Sequence, residues 1–200
     1  MITDPAPAPD TYERLIALLD RHGARYRLIE HASEGRTEIV SALRGHDPRH
    51  AAKCMILMVK VGRRVTRHVL AVVPGDRRVS FDAIKALFGA SYVSFASTDI
   101  AERLAGTVAG TVLPFAMNDE LELIVDPSLA GSPEIYFNAA RLDRSLVLNT
   151  ADYLAMTKPR LDRSTPSNRR VMKGQRTPSA SVDPYFPPPL CDTPFFALPE

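Results

Sequence analysis

At 200 residues, 45% apolar and 24% charged, the chain has the make-up of one globular domain with a hydrophobic core, not of a disordered or fibrous polypeptide. Its formal net charge of +2 singles out no partner. The longest apolar run, Cys54 to Val59, is far short of the roughly 20 residues of a membrane helix, and no charged-then-apolar signal opens the chain, so a cytoplasmic protein with no membrane partner is expected.

Met1 to Pro9, with prolines at 5, 7 and 9, has little to bury and reads as a flexible leader. Asp10 and Glu13 form a capping box ahead of Tyr12, Leu15, Ile16 and Leu19 at helical spacing, and Gly23 supplies the stop. Arg25 to Leu28 alternates as a strand ending at His31, and Thr37 to Leu43 reads as a short helix stopped by Gly45. Lys53 to Val61 and Val65 to Val73 are β-rich and separated by Gly62-Arg63-Arg64, the spacing of a hairpin. After the turn at Pro74-Gly75-Asp76, the pattern predicts a helix over Phe81 to Phe88, a strand over Tyr92 to Ala96, and a second helix over Asp99 to Leu104 capped by Thr98. Strands at Leu121 to Val125, Ile135 to Asn138 and Ser145 to Leu148 and a helix from Thr150 to Met156 complete the domain. The order predicts an α/β (mixed α+β) fold, one mixed central sheet with helices packed on it.

From Thr157 onward nine of the seventeen prolines fall among forty-four residues, which predicts an extended or disordered tail over 157–200. That tail carries seven Lys/Arg against four Asp/Glu, and residues 36–78 hold ten against three. A polyanion suits both stretches, as does a solvated basic face.

His46 and His50 are four apart, but Gly45 and Pro48 oppose the helix that would align them and no third ligand is evident, so no metal is expected. Cys54 and Cys191 make a poor disulfide pair and are expected to be free thiols. There is no G-x-S-x-G elbow, and Cys54 lies in a strand and not at a helix N-terminus; a protein nucleophile is therefore not expected. Lys53 opens an apolar strand after a loop rich in Gly, His and Arg, where it either reaches into a cleft or snorkels to water. Gly106 to Phe115 combines two glycines, two threonines and a proline. Such a loop exposes N–H groups that can hold a phosphate or an oxyanion, although taken alone it favours an ordinary glycine-containing connection.

Taken together, Glu30-His31, Thr37 ahead of a short helix, Ala52-Lys53 opening a strand, Val72-Val73-Pro74-Gly75-Asp76, Gly106 to Phe115, Val125-Asp126 and Phe137-Asn138-Ala139 resemble the YbaK family over residues 10–156. This family comprises the editing domain inserted in bacterial prolyl-tRNA synthetases and its free-standing relatives that deacylate mischarged tRNA. The resemblance implies a trans-editing hydrolase that removes a small amino acid such as alanine or serine, without a cofactor. Its implied partners are the aminoacylated 3′ end of tRNA and an aminoacyl-tRNA synthetase. It further implies that Lys53 contacts the 3′-terminal nucleotide, that Gly110 and Thr111 share the catalytic role, and that the Gly110 to Phe115 loop lines the aminoacyl pocket. His31, Thr37, Pro114, Phe115, Asp126, Asn138 and Ser145 are then substrate-binding residues. The ester is already reactive, so the site need only place a water, steady the oxyanion and exclude the correct amino acid by size. The chain departs from many relatives at Ala116 and Ala140, where glycine is usual, and Arg141 to Ser145 lacks the histidine that several carry. Those departures keep a second reading open, a non-catalytic module that binds a tRNA end or a synthetase, and a hydrolase of small nucleotide-linked esters is a third.

Overall fold

Asp10 accepts from the Glu13 N–H at 2.8 Å while the Glu13 carboxylate accepts from the Asp10 N–H at 3.1 Å, so the capping box read from sequence starts α1 (Thr11–Arg21). The structure, a computed structural model, describes residues 10–166; the leader over 1–9, Cys191 and the tail beyond 166 lie outside the described residues. The elements that follow are β1 (Tyr26–Glu30), α2 (Thr37–Arg44), a short 3-10 turn at Pro48–His50, β2 (Ala52–Val61), β3 (Val65–Pro74), α3 (Phe81–Phe88) and β4 (Tyr92–Phe95). Then come α4 (Thr98–Ala105), β5 (Leu121–Val125), α5 (Pro127–Ala130), β6 (Glu134–Asn138), β7 (Arg144–Asn149), α6 (Thr150–Thr157) and β8 (Arg160–Leu161). No described helix is long and apolar enough to cross a membrane.

The fold is mixed α/β, as expected, but its strands divide between two sheets where a single central one was predicted. Five strands run in the order β4-β2-β3-β5-β8, and three in the order β1-β7-β6. The β2–β3 hairpin turns at Gly62 and keeps register from Ala52↔Pro74 to Val61↔Val65, whereas β3 pairs with β5 in parallel. An isolated bridge between Ala51 and Tyr136 links the two sheets. Alternation along β2, β3 and β5 distributes the core. Ile56, Leu70, Val72 and Val125 face a cluster with Leu15, Leu19, Leu146, Leu148 and Tyr153, while Leu57, Val59, Val69 and Ile124 pack with Ile84 on the opposite side. The five-stranded sheet is thus covered on both faces, which explains why its inner strands read as continuous apolar runs.

Three local expectations are corrected. The cap of α4 is Ser97, in extended conformation, and Thr98 is already helical. Residues 157–166 belong to the fold and not to an extended tail: β8 pairs with β5, the Ser80 N–H donates to the Ser164 carbonyl at 2.7 Å, and Ser164 is fully buried. The 3-10 turn and α5 were not foreseen, each too short for a periodic signal and each begun by an Asx cap followed by proline (Asp47-Pro48, Asp126-Pro127).

Candidate active site

Thr37, Val40 and Arg44 recur at i, i+3 and i+7 on α2 and so share one helix face. That face, the start of β2 (Ala52, Lys53, Cys54), the loop residues Gly35, Gly110 and Val112, and Tyr136, Phe137 and Asn138 of β6 line a cavity of about 200 Å³. Of the residues singled out in the sequence, Lys53, Thr37, Gly110 and Asn138 line this one cavity.

Lys53 sits at one end. Its ammonium donates to Glu38 Oε1 and to the Arg77 carbonyl, both at 3.4 Å, and its side chain is 23% exposed. Both bonds are long for a charged donor, so the ammonium is available to a better anionic partner.

Asn138 organises the opposite side. Its Nδ2 donates to the carbonyls of Glu34 and Gly110, each at 3.0 Å, and its Oδ1 accepts from Arg44 Nη2 and from Ser145 Oγ at 3.3 Å. One buried amide thereby joins the 31–36 loop, the glycine loop, α2 and β7. Ser145, Asn138's register partner across the β6–β7 hairpin, also accepts from Arg44 Nε at 2.6 Å and meets His31 Nε2. His31 Nδ1 lies 2.8 Å from the Ala32 carbonyl, which suits a proton on Nδ1. Ser145 is fully buried, so this serine–histidine pair is a support behind the cavity wall and not an accessible nucleophile.

Gly110 lies against the backbone of Gly35. At its φ of +86° an added Cβ would come within 2.9 Å of Gly35 Cα, so the two loops meet this closely only because residue 110 is glycine. Among the described residues the N–H groups of Gly110 and Val112, both on the cavity wall, have no hydrogen-bond partner. They are free donors of the kind expected of this loop.

Other expected site residues lie elsewhere. The Thr111 hydroxyl donates to the Val108 carbonyl at 2.8 Å and is fully buried, so it braces its own loop. Phe115 packs edge-on against Phe137 and Tyr153, and the Pro114 carbonyl accepts from Tyr153 Oη at 2.8 Å; both anchor the loop in the core. Asp126 is not on the cavity wall. It caps α5 through the Ser128 N–H at 3.0 Å and accepts from Thr165 Oγ1 at 2.7 Å. Burial raises its pKa, but the bonds from Ser128 and Thr165 outweigh that and hold it below the ordinary value.

Arg44 is the residue that sequence reasoning missed. Burial pulls its pKa down to about 10, and no carboxylate among the described residues pairs with it. The signal that could have found it is the Thr37-Val40-Arg44 spacing, in which a charged residue continues an otherwise inward face. Cys54, also on the wall, is a free thiol that burial pushes far above its ordinary pKa, which makes it unreactive. His46 stacks on Tyr136 with centroids 3.8 Å apart, and no group of three possible metal ligands occurs among the described residues.

Residues 32–156 match the family described as the aminoacyl-tRNA editing domain. The chain is 38% identical over 161 residues to the Multifunctional Ser/Thr-tRNA deacylase ProXp-y of Escherichia coli (strain K12), a match that spans 80% of this chain and 96% of that protein. It is 26% identical over 153 residues to the Prolyl-tRNA editing protein ProX of Acetoanaerobium sticklandii, spanning 74% and 92% of the two chains. The crystal structure of the hypothetical protein APE2540 shares its fold, with a TM-score of 0.69 at 21% identity over 77% of this chain and 100% of that one.

Proposed function

The chain belongs to the aminoacyl-tRNA editing domain family, and from that premise we propose that it is a trans-editing deacylase, a hydrolase that removes a small mischarged amino acid from tRNA. The observation that carries this reading is the cavity itself: about 200 Å³, with a loosely held ammonium at one end and two unpartnered backbone N–H groups on its wall.

In this reading the Lys53 ammonium leaves Glu38 for a phosphate of the 3′-terminal nucleotide and sets the aminoacyl ester beside Gly110 and Val112. Water attacks the carbonyl carbon, and the N–H groups of Gly110 and Val112 donate to the oxyanion. The ester C–O bond then breaks, and the ribose oxygen leaves with a proton. The substrate's own neighbouring ribose hydroxyl orients the water. The protein supplies position and fixed dipoles, effects worth about 10²–10³ in rate for a single oxyanion donor. Thr37 and Asn138 shape the pocket, while Thr111, Pro114 and Phe115 hold the loop from behind, and His31 and Ser145 hold Asn138 and Arg44. Discrimination is by size, as in a second sieve, and a cavity of about 200 Å³ has room for small side chains such as those of alanine, serine and threonine. A cytoplasmic setting, where aminoacyl-tRNA is made, and a synthetase partner that hands over its product complete the proposal.

The test is a panel of mischarged tRNAs with wild type and Lys53→Ala. Deacylation above buffer by the wild type, with a fall of about tenfold or more in kcat/KM for a correctly folded Lys53→Ala, supports editing. Binding of tRNA with no hydrolysis by the wild type makes the protein a non-catalytic module, and activity confined to aminoacyl-adenosine makes it a hydrolase of small esters.

A further inference from the structure

Arg44 stands out because the mechanism above does not use it. A guanidinium carries five N–H donors in one plane. Ser145 takes the Nε donor and Asn138 takes one from Nη2, which fixes the plane, while Nη1 has no partner among the described residues. The group lines the cavity and has no carboxylate beside it. Nη1 is not among the buried side-chain atoms that lack a partner, so on a guanidinium whose plane is already fixed it is a donor open to an incoming ligand acceptor.

Its position tells which atom. Thr37 and Arg44 are seven residues apart on one helix, an axial separation of about 10 Å at 1.5 Å per residue. Lys53 pairs with Glu38 at the Thr37 end, so the nucleotide end and the Arg44 end are opposed along α2. The same Asn138 amide bonds the Gly110 carbonyl through Nδ2 and Arg44 through Oδ1, so the guanidinium lies one amide away from the loop that receives the ester. What projects past the ester carbonyl at that distance is the amino-acid side chain.

Resting on the deacylase reading, we propose that Arg44 is the specificity-determining residue of the site: its free N–H groups donate to an acceptor oxygen on the amino-acid side chain. Hydroxyl-bearing seryl and threonyl groups are thereby hydrolysed in preference to alanyl, which leaves the guanidinium unpaired. A site built to hydrogen-bond a substrate oxygen discriminates strongly against the analogue that lacks it, whereas a merely small pocket would favour alanine. The apolar remainder of the wall, from Val40, Ala51, Val112 and Phe137, accommodates the threonyl methyl.

The experiment charges one tRNA with serine, threonine or alanine and measures kcat/KM for the wild type and Arg44→Met, which keeps the stem and removes the donors. The expected result is a fall of about tenfold or more on the seryl and threonyl esters with the alanyl ester changed less than about threefold, so that the preference collapses. An equal fall on all three esters, or an unchanged ratio, overturns the assignment and leaves the deacylase reading standing. Failure of the wild type to hydrolyse any of them overturns the deacylase reading itself. If Arg44→Met does not fold, the same ratio is read on Arg44→Lys. That variant keeps the cation but gathers its donors on one atom at the end of a flexible stem, so the fixed plane that aims Nη1 is lost; the seryl-to-alanyl preference is again expected to fall, and its persistence overturns the proposal.

Discussion

Ala140 occupies the left-handed region, with φ at +59°, in the turn that joins β6 to β7. An L-residue with a Cβ is strained there by about 1–2 kcal/mol. Ala140→Gly is therefore expected to raise stability by about 1 kcal/mol and the melting temperature by about 2–4 °C, as read by thermal denaturation. His46 makes a second prediction. Its ring is buried against Tyr136, its Nδ1 meets the Asp47 carbonyl, and its Nε2 is buried without a partner among the described residues. Burial accordingly holds its pKa below the ordinary 6.5. The unfolded chain then binds more protons than the folded one around that pH, so stability falls as the pH drops from neutrality through about 6.5. Melting curves taken between about pH 7.5 and 5.5 should show that slope, and His46→Gln should flatten it. Residues such as Lys53, Thr37, Gly110 and Asn138 were legible because they stand in short motifs whose order is distinctive. Arg44 and Gly35 were not, since a guanidinium's partners and a close backbone approach are properties of pairs distant in sequence. Thr111 was misplaced because a hydroxyl in a tight turn is easily consumed by its own backbone.

Among the elements, the β6–β7 hairpin fixes the site, because its register sets Asn138 opposite Ser145 and both against Arg44. Asn138→Ala removes the donors to Glu34 and Gly110 and leaves Arg44 with one anchor. The expected cost is about 2 kcal/mol of stability, measured by denaturant unfolding, with deacylation reduced more than the wild type's folded fraction explains. Local elements were well anticipated: the capping box, the αL glycine that ends α2 and the Gly62 hairpin are all encoded within a few residues. The division into two sheets was not, since β1 and β7 meet across more than a hundred residues and period-2 alternation carries no information about which strand is the partner.

At the scale of the whole molecule, the last described residues belong to the domain. Thr165 bonds Asp126, Ser164 is buried, and β8 extends the larger sheet. A chain ended at residue 156 should melt several degrees below one ended at 166, a difference that calorimetry would register. Proline content concealed this, because composition averages over a segment whereas a two-residue strand and one buried hydroxyl depend on single positions. The pairing of Tyr26–Glu30 with Arg144–Leu148 also bears on how the protein is made. At roughly 5–20 residues per second, a ribosome needs several seconds to supply the second strand after releasing the first. His31 and Arg44 then wait for Asn138 and Ser145 to emerge, so a nascent chain that has not yet reached Asn138 carries no finished pocket, and a ribosome stalled before that codon would expose no hydrolytic site to the charged tRNAs around it.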